Sequence, residues 1–369
     1  MRSCCCFFSV YKGKRTTYNN NSLEDISGFL PVNIQIFSYD ELRSATGNFH
    51  VRNKLGRGGF GTVYKGLLRN GVQVAVKALS ALSRQGLHEF LTELDTVSNV
   101  KNPNLVQIFG CCVEGSNRIL VYEYVENNSL DRALLGSKDS TIKLDWSARS
   151  GICVGTARGL AFLHEELEPP IVHRDIKASN ILLDKDFVPK IGDFGLAKLF
   201  PEDITHISTR VAGTSGYLAP EYALRGQLTK KADVYSFGVL IIEIVCGRSN
   251  IEGTWGGMPK FLIEQTWQHY EEGNLLDLVD PDLEDYAEEE IIRYIKVALF
   301  CTQAAPSRRP RMNQVVSMLT RDIRLNEKEL TPPGFFQMGE SERKSSAMDS
   351  TGQLVSNSNI TITQLIPRC

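Results

Sequence analysis

No stretch of this 369-residue chain stays apolar for long enough to cross a bilayer. The longest, FGVLIIEIVCG near residue 240, is short and holds Glu243, so no membrane span is expected. A secretory leader is not expected either, because CCCFFSV is only a brief apolar run before Tyr11 and the basic residues. An excess of one charge is also missing. The 41 Lys and Arg against 43 Asp and Glu leave a formal net charge of −2, which removes the basic field that argues for nucleic acid as a partner. Nine cysteines contain no C-x-x-C pair, so the usual zinc spacing is absent, and an odd number cannot pair completely. Cys153, Cys246 and Cys301 fall inside apolar stretches and read as buried free thiols, which fits a reducing compartment better than a disulfide framework. Residue 2 is Arg rather than Gly, which excludes N-myristoylation.

What is present divides the chain into regions. With 42% hydrophobic and 23% charged residues it can bury a sizeable core. Residues 1–36 are polar and aperiodic and read as a flexible leader. Cys4, Cys5 and Cys6 sit there beside Phe7, Phe8 and the cations Arg2, Lys12, Lys14 and Arg15. That cluster is a candidate S-acylation site, since acyl chains joined to a basic patch give stable anchoring. A short helix capped by Ser38 and ended by Gly47 is expected within 37–48. From Lys54 the pattern becomes strand-like, with an Asn70-Gly71 hairpin signal. Residues 86–100 carry Leu87, Phe90, Leu91, Leu94 and Val97 at helical spacing. Two more strands follow, and after about residue 127 helices dominate. The stretch from Leu144 to Leu167 reads as one long helix stopped by Pro169-Pro170, and DVYSFGVLIIEIVCG as a helix buried on every side. Residues 322–369 are polar and Ser/Thr-rich and are expected to be mostly disordered. The resulting expectation is an α+β fold of two lobes, small and β-rich then larger and helical, with a ligand cleft between them.

Three motifs carry chemistry. GRGGFG at Gly56 to Gly61 has the G-x-G-x-x-G spacing that lets backbone N–H groups approach phosphates. The strand-like TVYKGLL that follows makes it a strand–turn–strand flap, which disfavours a dinucleotide fold, and no G-K-[ST] ending makes it a P-loop. Lys77 lies on the next strand, where a lysine ordinarily snorkels to the surface. Beneath a glycine flap it can reach phosphates instead, and a buried cation needs a partner. Glu93 is the best-placed acid, and Glu89, one turn earlier, is the rival. In HRDIKASN and GDFGLAK, Asp175 can take a proton from a hydroxyl or orient it. Lys177 can neutralise phosphoryl charge, and Asn180 and Asp193 offer the oxygen ligands that Mg²⁺ prefers. Each residue alone could be a solvated loop position. The four in this order behind the flap and the strand lysine point to phosphoryl transfer.

With GRGGFGTV, VAVK, Glu93, HRDIKASN, DFG and APE (Ala219 to Glu221) in order, the chain resembles a eukaryotic protein kinase, and the likeness runs from about 49 to 321. The resemblance implies ATP and Mg²⁺ as cofactors and protein substrates. Leu55, Gly56, Arg57, Gly58, Gly59, Phe60, Gly61 and Val63 would cover the nucleotide. Lys77 would contact its phosphates and pair with Glu93. Asp175 and Lys177 would act at the transferring group, and Asn180 and Asp193 would hold the metal. Tyr122, Glu123, Tyr124 and Val125 would form the hinge that meets adenine, with Tyr122 as gatekeeper. Asp233 would support the catalytic loop, and Arg309 would pair with Glu221. DIKASN and GTSGYLAPE resemble serine/threonine kinases. FSYDELRSATGNFHVRNKLGRGGFGTVYKG and RPRMNQVVSML resemble the plant receptor-like/Pelle group, here a receptor-like cytoplasmic kinase close to the cold-responsive subgroup. That implies autophosphorylation, an upstream receptor kinase and a place at the cytoplasmic face of the plasma membrane, with the cytosol as the alternative. Arg174 would pair with a phosphorylated activation segment, for which Thr205, Ser208, Thr209, Thr214 and Ser215 are acceptors, Ser208 and Thr209 foremost. Asn102 stands where the family usually has histidine. A pseudokinase scaffold that binds nucleotide without turnover is the alternative function, although such chains usually lose one of these groups.

Overall fold

A computed structural model describes residues 34–58, 61–79, 84–136, 143–201, 204–255 and 258–334, with three short strands beyond them. Cys4, Cys5, Cys6, Gly59 and Phe60 lie outside the described residues.

The N-terminal lobe is a six-stranded sheet in the order β1-β5-β6-β4-β3-β2. Its strands are β1 (Gln35–Ile36), β2 (Lys54–Gly58), β3 (Gly61–Leu67), β4 (Gln73–Leu79), β5 (Ile108–Glu114) and β6 (Asn117–Glu123). The expected hairpin closes β3 onto β4, where Gly71 has φ +82° and the Asn70 side chain accepts from the Val72 N–H. Gln35 and Ile36 lie within the expected leader, yet they pair in parallel with Gly110 and Cys111. The pairing is tight. A Cβ at Gly110 would stand 2.2 Å from the Gln35 carbonyl oxygen and 2.5 Å from the Phe37 ring. Helix α1 (Tyr39–Ala45) follows, with Ser38 Oγ accepting from the Glu41 N–H as the capping pattern predicts. Phe37 and Leu42 seal the outer face of the sheet over Val74, Val76, Cys112, Ile119 and Val121.

Helix α2 (Arg84–Val97) crosses the inner side and begins two residues before the expected start. Phe90, Leu94 and Val97 are buried, and the same helical face turns Glu93 inward.

The C-terminal lobe is helical: α3 (Leu130–Leu135), α4 (Trp146–Ala161), α5 (Pro220–Arg225), α6 (Lys230–Cys246), α7 (Leu262–Glu272), α8 (Glu288–Cys301) and α9 (Met312–Thr320). The long helix expected from Leu144 starts later, where Asp145 caps the Ala148 N–H. It also ends earlier, in a π-turn over Phe162–Glu166. Helix α6 is buried along its whole length from Ala232 to Cys246, in agreement with its all-round apolar sequence. Gly238 lets α8 approach it, because a Cβ there would meet the Cys301 side chain at 2.7 Å.

The folded body does not stop at Arg321. Arg293 donates to the carbonyls of Arg321 and Ile323, and Thr331 Oγ1 to Gln303 Oε1. Gly334 donates to the Thr302 carbonyl and accepts from the Tyr235 hydroxyl. Most of these contacts run through backbone groups, which a composition argument cannot see. The described strand Ile360–Thr363 runs parallel to Val211–Thr214.

Candidate active site

Between β7 (Ile171–Val172) and β8 (Ile181–Leu183) the chain makes a loop fixed from below by Asp233 of α6. The carboxylate is fully buried and accepts the backbone N–H groups of His173 and Arg174 at 2.7 and 2.8 Å, and His164 Nε2 lies 2.9 Å away. Burial pushes its pKa up, but those donors and the His164 and His173 rings outweigh burial and hold it below the usual range. Asp233 therefore stays ionised. The anchor holds Arg174 in the left-handed region at φ +73°, and Asp193 in the facing loop has φ +63°. His173 joins the two loops, with Nε2 3.1 Å from the Gly192 carbonyl and its ring edge-on to Phe194.

Asp175 sits in this loop with every side-chain oxygen engaged. Oδ1 accepts from the Thr214 hydroxyl at 2.7 Å. Oδ2 takes Lys177 Nζ at 2.8 Å and Asn180 Nδ2 at 3.0 Å. Lys177 also donates to Thr214 Oγ1 at 2.7 Å. The arrangement already holds one hydroxyl on the carboxylate beside a cation.

Above it, Lys77 of β4 resolves the choice between Glu89 and Glu93. Its Nζ is 2.5 Å from Glu93 Oε1 and 2.7 Å from Asp193 Oδ1. Burial alone would lower the lysine pKa, and the two carboxylates reverse this, leaving it far above the ordinary value. Burial would raise the pKa of Asp193, but Lys77, with Lys177 and His173, pulls it down. Lys77 is thus a permanent cation between two acids. Tyr122 is expected at the hinge as gatekeeper, and its hydroxyl also donates to Glu93 Oε2, so the strand-end tyrosine orients the acid that fixes Lys77.

The roof is the β2–β3 flap. Only one of its described glycines is sterically required by the fold: a Cβ at Gly61 would stand 2.4 Å from the Ala78 carbonyl oxygen, whereas one at Gly58 would meet nothing within 4 Å. Gly61→Ala is therefore expected to cost about 1–3 kcal/mol of stability. Gly58→Ala should leave the melting temperature unchanged, and equal melts for the two variants would refute the distinction. Leu55, Gly56, Arg57 and Val63 lie on the same flap. At the hinge the Glu123 carboxylate accepts from the Gln107 N–H and from Lys190, and the Val125 N–H has no hydrogen-bond partner among the described residues.

The segment from Asp193 to Glu221 is tied down at its end. Arg309 is fully buried and binds both oxygens of Glu221 at 2.7 and 2.8 Å, as the family resemblance implies. Glu243 of α6 was not foreseen. It is buried, accepts from Tyr217 Oη and from the Asn250 N–H, and burial raises its pKa to about 7 against the two donors that lower it. From the ordinary value of 4.5 up to about 7 the unfolded chain has lost a proton that the folded chain keeps. Stability from this group therefore falls as pH rises through that window, by at most roughly 3 kcal/mol. Glu243→Gln cannot ionise and should flatten the slope in melts between pH 5 and 8; an unchanged slope would exclude this source.

Arg174 is nearly buried and does not point to open solvent. It donates to the carbonyls of Leu196 and Arg210 and to the Tyr222 hydroxyl. His88 and Lys198 lie within its electrostatic reach, and both have pKa values lowered by burial and then by their cationic neighbours. Thr205 and Ser208 are exposed and Thr209 half-buried. Thr214 is buried with its hydroxyl between Asp175 and Lys177, which makes it the least accessible of the expected acceptors. Asn102, the departure from the usual histidine, closes a local turn by accepting from the Asn104 N–H.

Residues 49–319 match the family model for protein tyrosine and serine/threonine kinases. The chain belongs to the protein kinase family. Cold-responsive protein kinase 1 of Arabidopsis thaliana is 56% identical over 305 residues, which cover 82% of this chain and 78% of that protein. Two proteins of the same plant, each named "Probable LRR receptor-like serine/threonine-protein kinase", are 51% and 53% identical over 328 and 326 residues. This kinase spans 31% of the length of each of those two. No helix among its described residues is long and apolar enough to cross a membrane.

Proposed function

We propose that this kinase transfers the γ-phosphoryl group of ATP to serine and threonine hydroxyls of proteins, its own included, at the cytoplasmic face of a plant plasma membrane and beneath an upstream receptor kinase. The observation that carries the reading is the convergence of Lys77, Glu93 and Asp193 with Asp175, Lys177 and Asn180 on one cleft. A silent scaffold has no missing group in its favour.

In this reading Gly56, Arg57, Gly58, Gly59, Phe60 and Gly61 cover the phosphates, Leu55 and Val63 cap the adenine, and Glu123 and Val125 border its edge. Lys77, oriented by Glu93, meets the α- and β-phosphates. Asn180 spends Nδ2 on Asp175, and Lys77 occupies only Oδ1 of Asp193, so Asn180 Oδ1 and Asp193 Oδ2 have no partner among the described residues. These hard oxygens suit Mg²⁺, which when bound neutralises charge on the phosphates. The acceptor hydroxyl takes the place that Thr214 Oγ1 has on Asp175 and attacks the γ-phosphorus. Its proton passes to Asp175, the bond to the bridging oxygen breaks, and ADP leaves. Lys177 balances the charge on the transferring group.

Acylated Cys4, Cys5 or Cys6 with the adjacent cations would provide the membrane contact, and phosphorylated Ser208 or Thr209 would face the basic group of His88, Arg174 and Lys198. The test is incubation with Mg-ATP and a generic protein acceptor, followed by mapping of modified sites. Phosphate on the acceptor and on Ser208 or Thr209 is expected, and an acceptor left unmodified would overturn the reading. Fractionation beside a triple Cys→Ser variant tests the anchor, which equal soluble fractions would refute.

A further inference from the structure

Besides the Lys77–Asp193 pair, another side chain reaches across the cleft from floor to roof. Arg132 of α3 donates from Nη2 to the Leu55 carbonyl of β2 at 3.0 Å, a contact between residues 77 positions apart. Both ends of this strut have a structural reason. At the roof, the β2–β3 register slips between Lys54 and Gly56, so Leu55 has no partner across the ladder. A bulge of this kind releases a backbone group from the sheet, and the guanidinium takes it.

At the floor, α3 is held to the catalytic loop. It packs against the Ala178–Asn180 turn and β8, and its Leu130 is fully buried. The connector before it is sewn to the end of β8 by Asn127 N–H to the Leu183 carbonyl and Leu183 N–H to the Asn128 carbonyl, each 2.9 Å. The guanidinium also lies against the flap itself, since a Cβ at Gly56 would come within 4.0 Å of Nη2. The base of the strut therefore moves with Asn180, and its tip with the strand that roofs the nucleotide.

We propose that Arg132 is a cross-cleft latch: a positioning residue that holds the flap down over bound nucleotide and whose opening sets how fast ADP leaves. The inference rests on the kinase reading of the cleft. The contact is solvent-exposed and single, so it closes the site without locking it. Product release is a common place for such control, because lid opening rather than chemistry limits many turnovers.

The test is the dissociation rate of a fluorescent ADP analogue from the full chain, measured by stopped flow for wild type, Arg132→Met and Arg132→Lys. A hydrogen bond of this kind corresponds to roughly 3- to 10-fold. Arg132→Met should speed release and raise KM for ATP by that factor while single-turnover transfer changes by less than twofold. Arg132→Lys keeps a donor and should recover part of the difference. A role in stability alone would shift the melting temperature without this split. Equal release rates in the three proteins would overturn the latch and leave the kinase reading standing. A wild-type chain that binds no ADP would overturn both.

Discussion

Asp175→Asn is expected to lower the rate of phosphoryl transfer by about 10²- to 10⁴-fold, the range for removal of a positioned general base. Nucleotide affinity should stay within a few-fold of wild type. The amide keeps the size of the carboxylate and one acceptor oxygen, but it cannot take the proton. Its NH₂ group must also face either the Thr214 hydroxyl or the Lys177 and Asn180 donors that now point at the two carboxylate oxygens. In the second orientation Lys177 and Asn180 lose their shared acceptor, and the loop should loosen as well. The groups attached to ATP in the proposed complex, Lys77 with Glu93 and Asp193, are untouched. Quench-flow transfer in single turnover, beside nucleotide titration, separates the two effects. A transfer rate within tenfold of wild type would remove Asp175 from the chemistry.

Arg309→Ala should be the most damaging substitution away from the cleft. The guanidinium is fully buried and uses its donors completely: two on Glu221, and others on the carbonyls of Gln303, Lys231 and Ala304. Truncation leaves Glu221 without its counter-charge and takes one donor from each of three carbonyls. Breaking one side of a buried pair costs about 3–5 kcal/mol, and at this chain length that corresponds to a melting temperature lower by roughly 10 °C. Arg309→Lys should rescue little, because an ammonium cannot repeat the bidentate fork. The damage should also reach the cleft. Glu221 opens α5, whose Tyr222 accepts from Arg174 beside Asp175. Calorimetry with an activity assay checks both parts, and a melting temperature within 2 °C of wild type would contradict this account of the pair.

The two-lobed fold and the groups that line the cleft were legible because charge in an apolar setting is conspicuous. Lys77 in VAVK, Glu93 among helical apolar positions and Asp233 at the head of an apolar helix each demand a partner, and the structure supplies one. Glu243 stands in that same helix, but nothing nearby in sequence indicates Tyr217 or Asn250 as its donors. Contacts to backbone groups were the least legible. Arg132 on the Leu55 carbonyl, Arg174 on the Leu196 and Arg210 carbonyls, and Arg293 on the chain after α9 all depend on where a carbonyl turns in space. Residue type carries no record of that direction. The same blindness put the end of the folded body at Arg321 and the end of the leader at Ile36, although Gly334 and Gln35 both bond to the core.

The most direct measurement is transfer of labelled γ-phosphate from ATP by the purified chain to a protein acceptor, with the modified amino acids identified and a divalent-metal chelator as control. Label on phosphoserine and phosphothreonine, lost with the chelator, is expected from the Asp175, Lys177, Asn180 and Asp193 constellation. Nucleotide bound tightly with no label on any hydroxyl would contradict it.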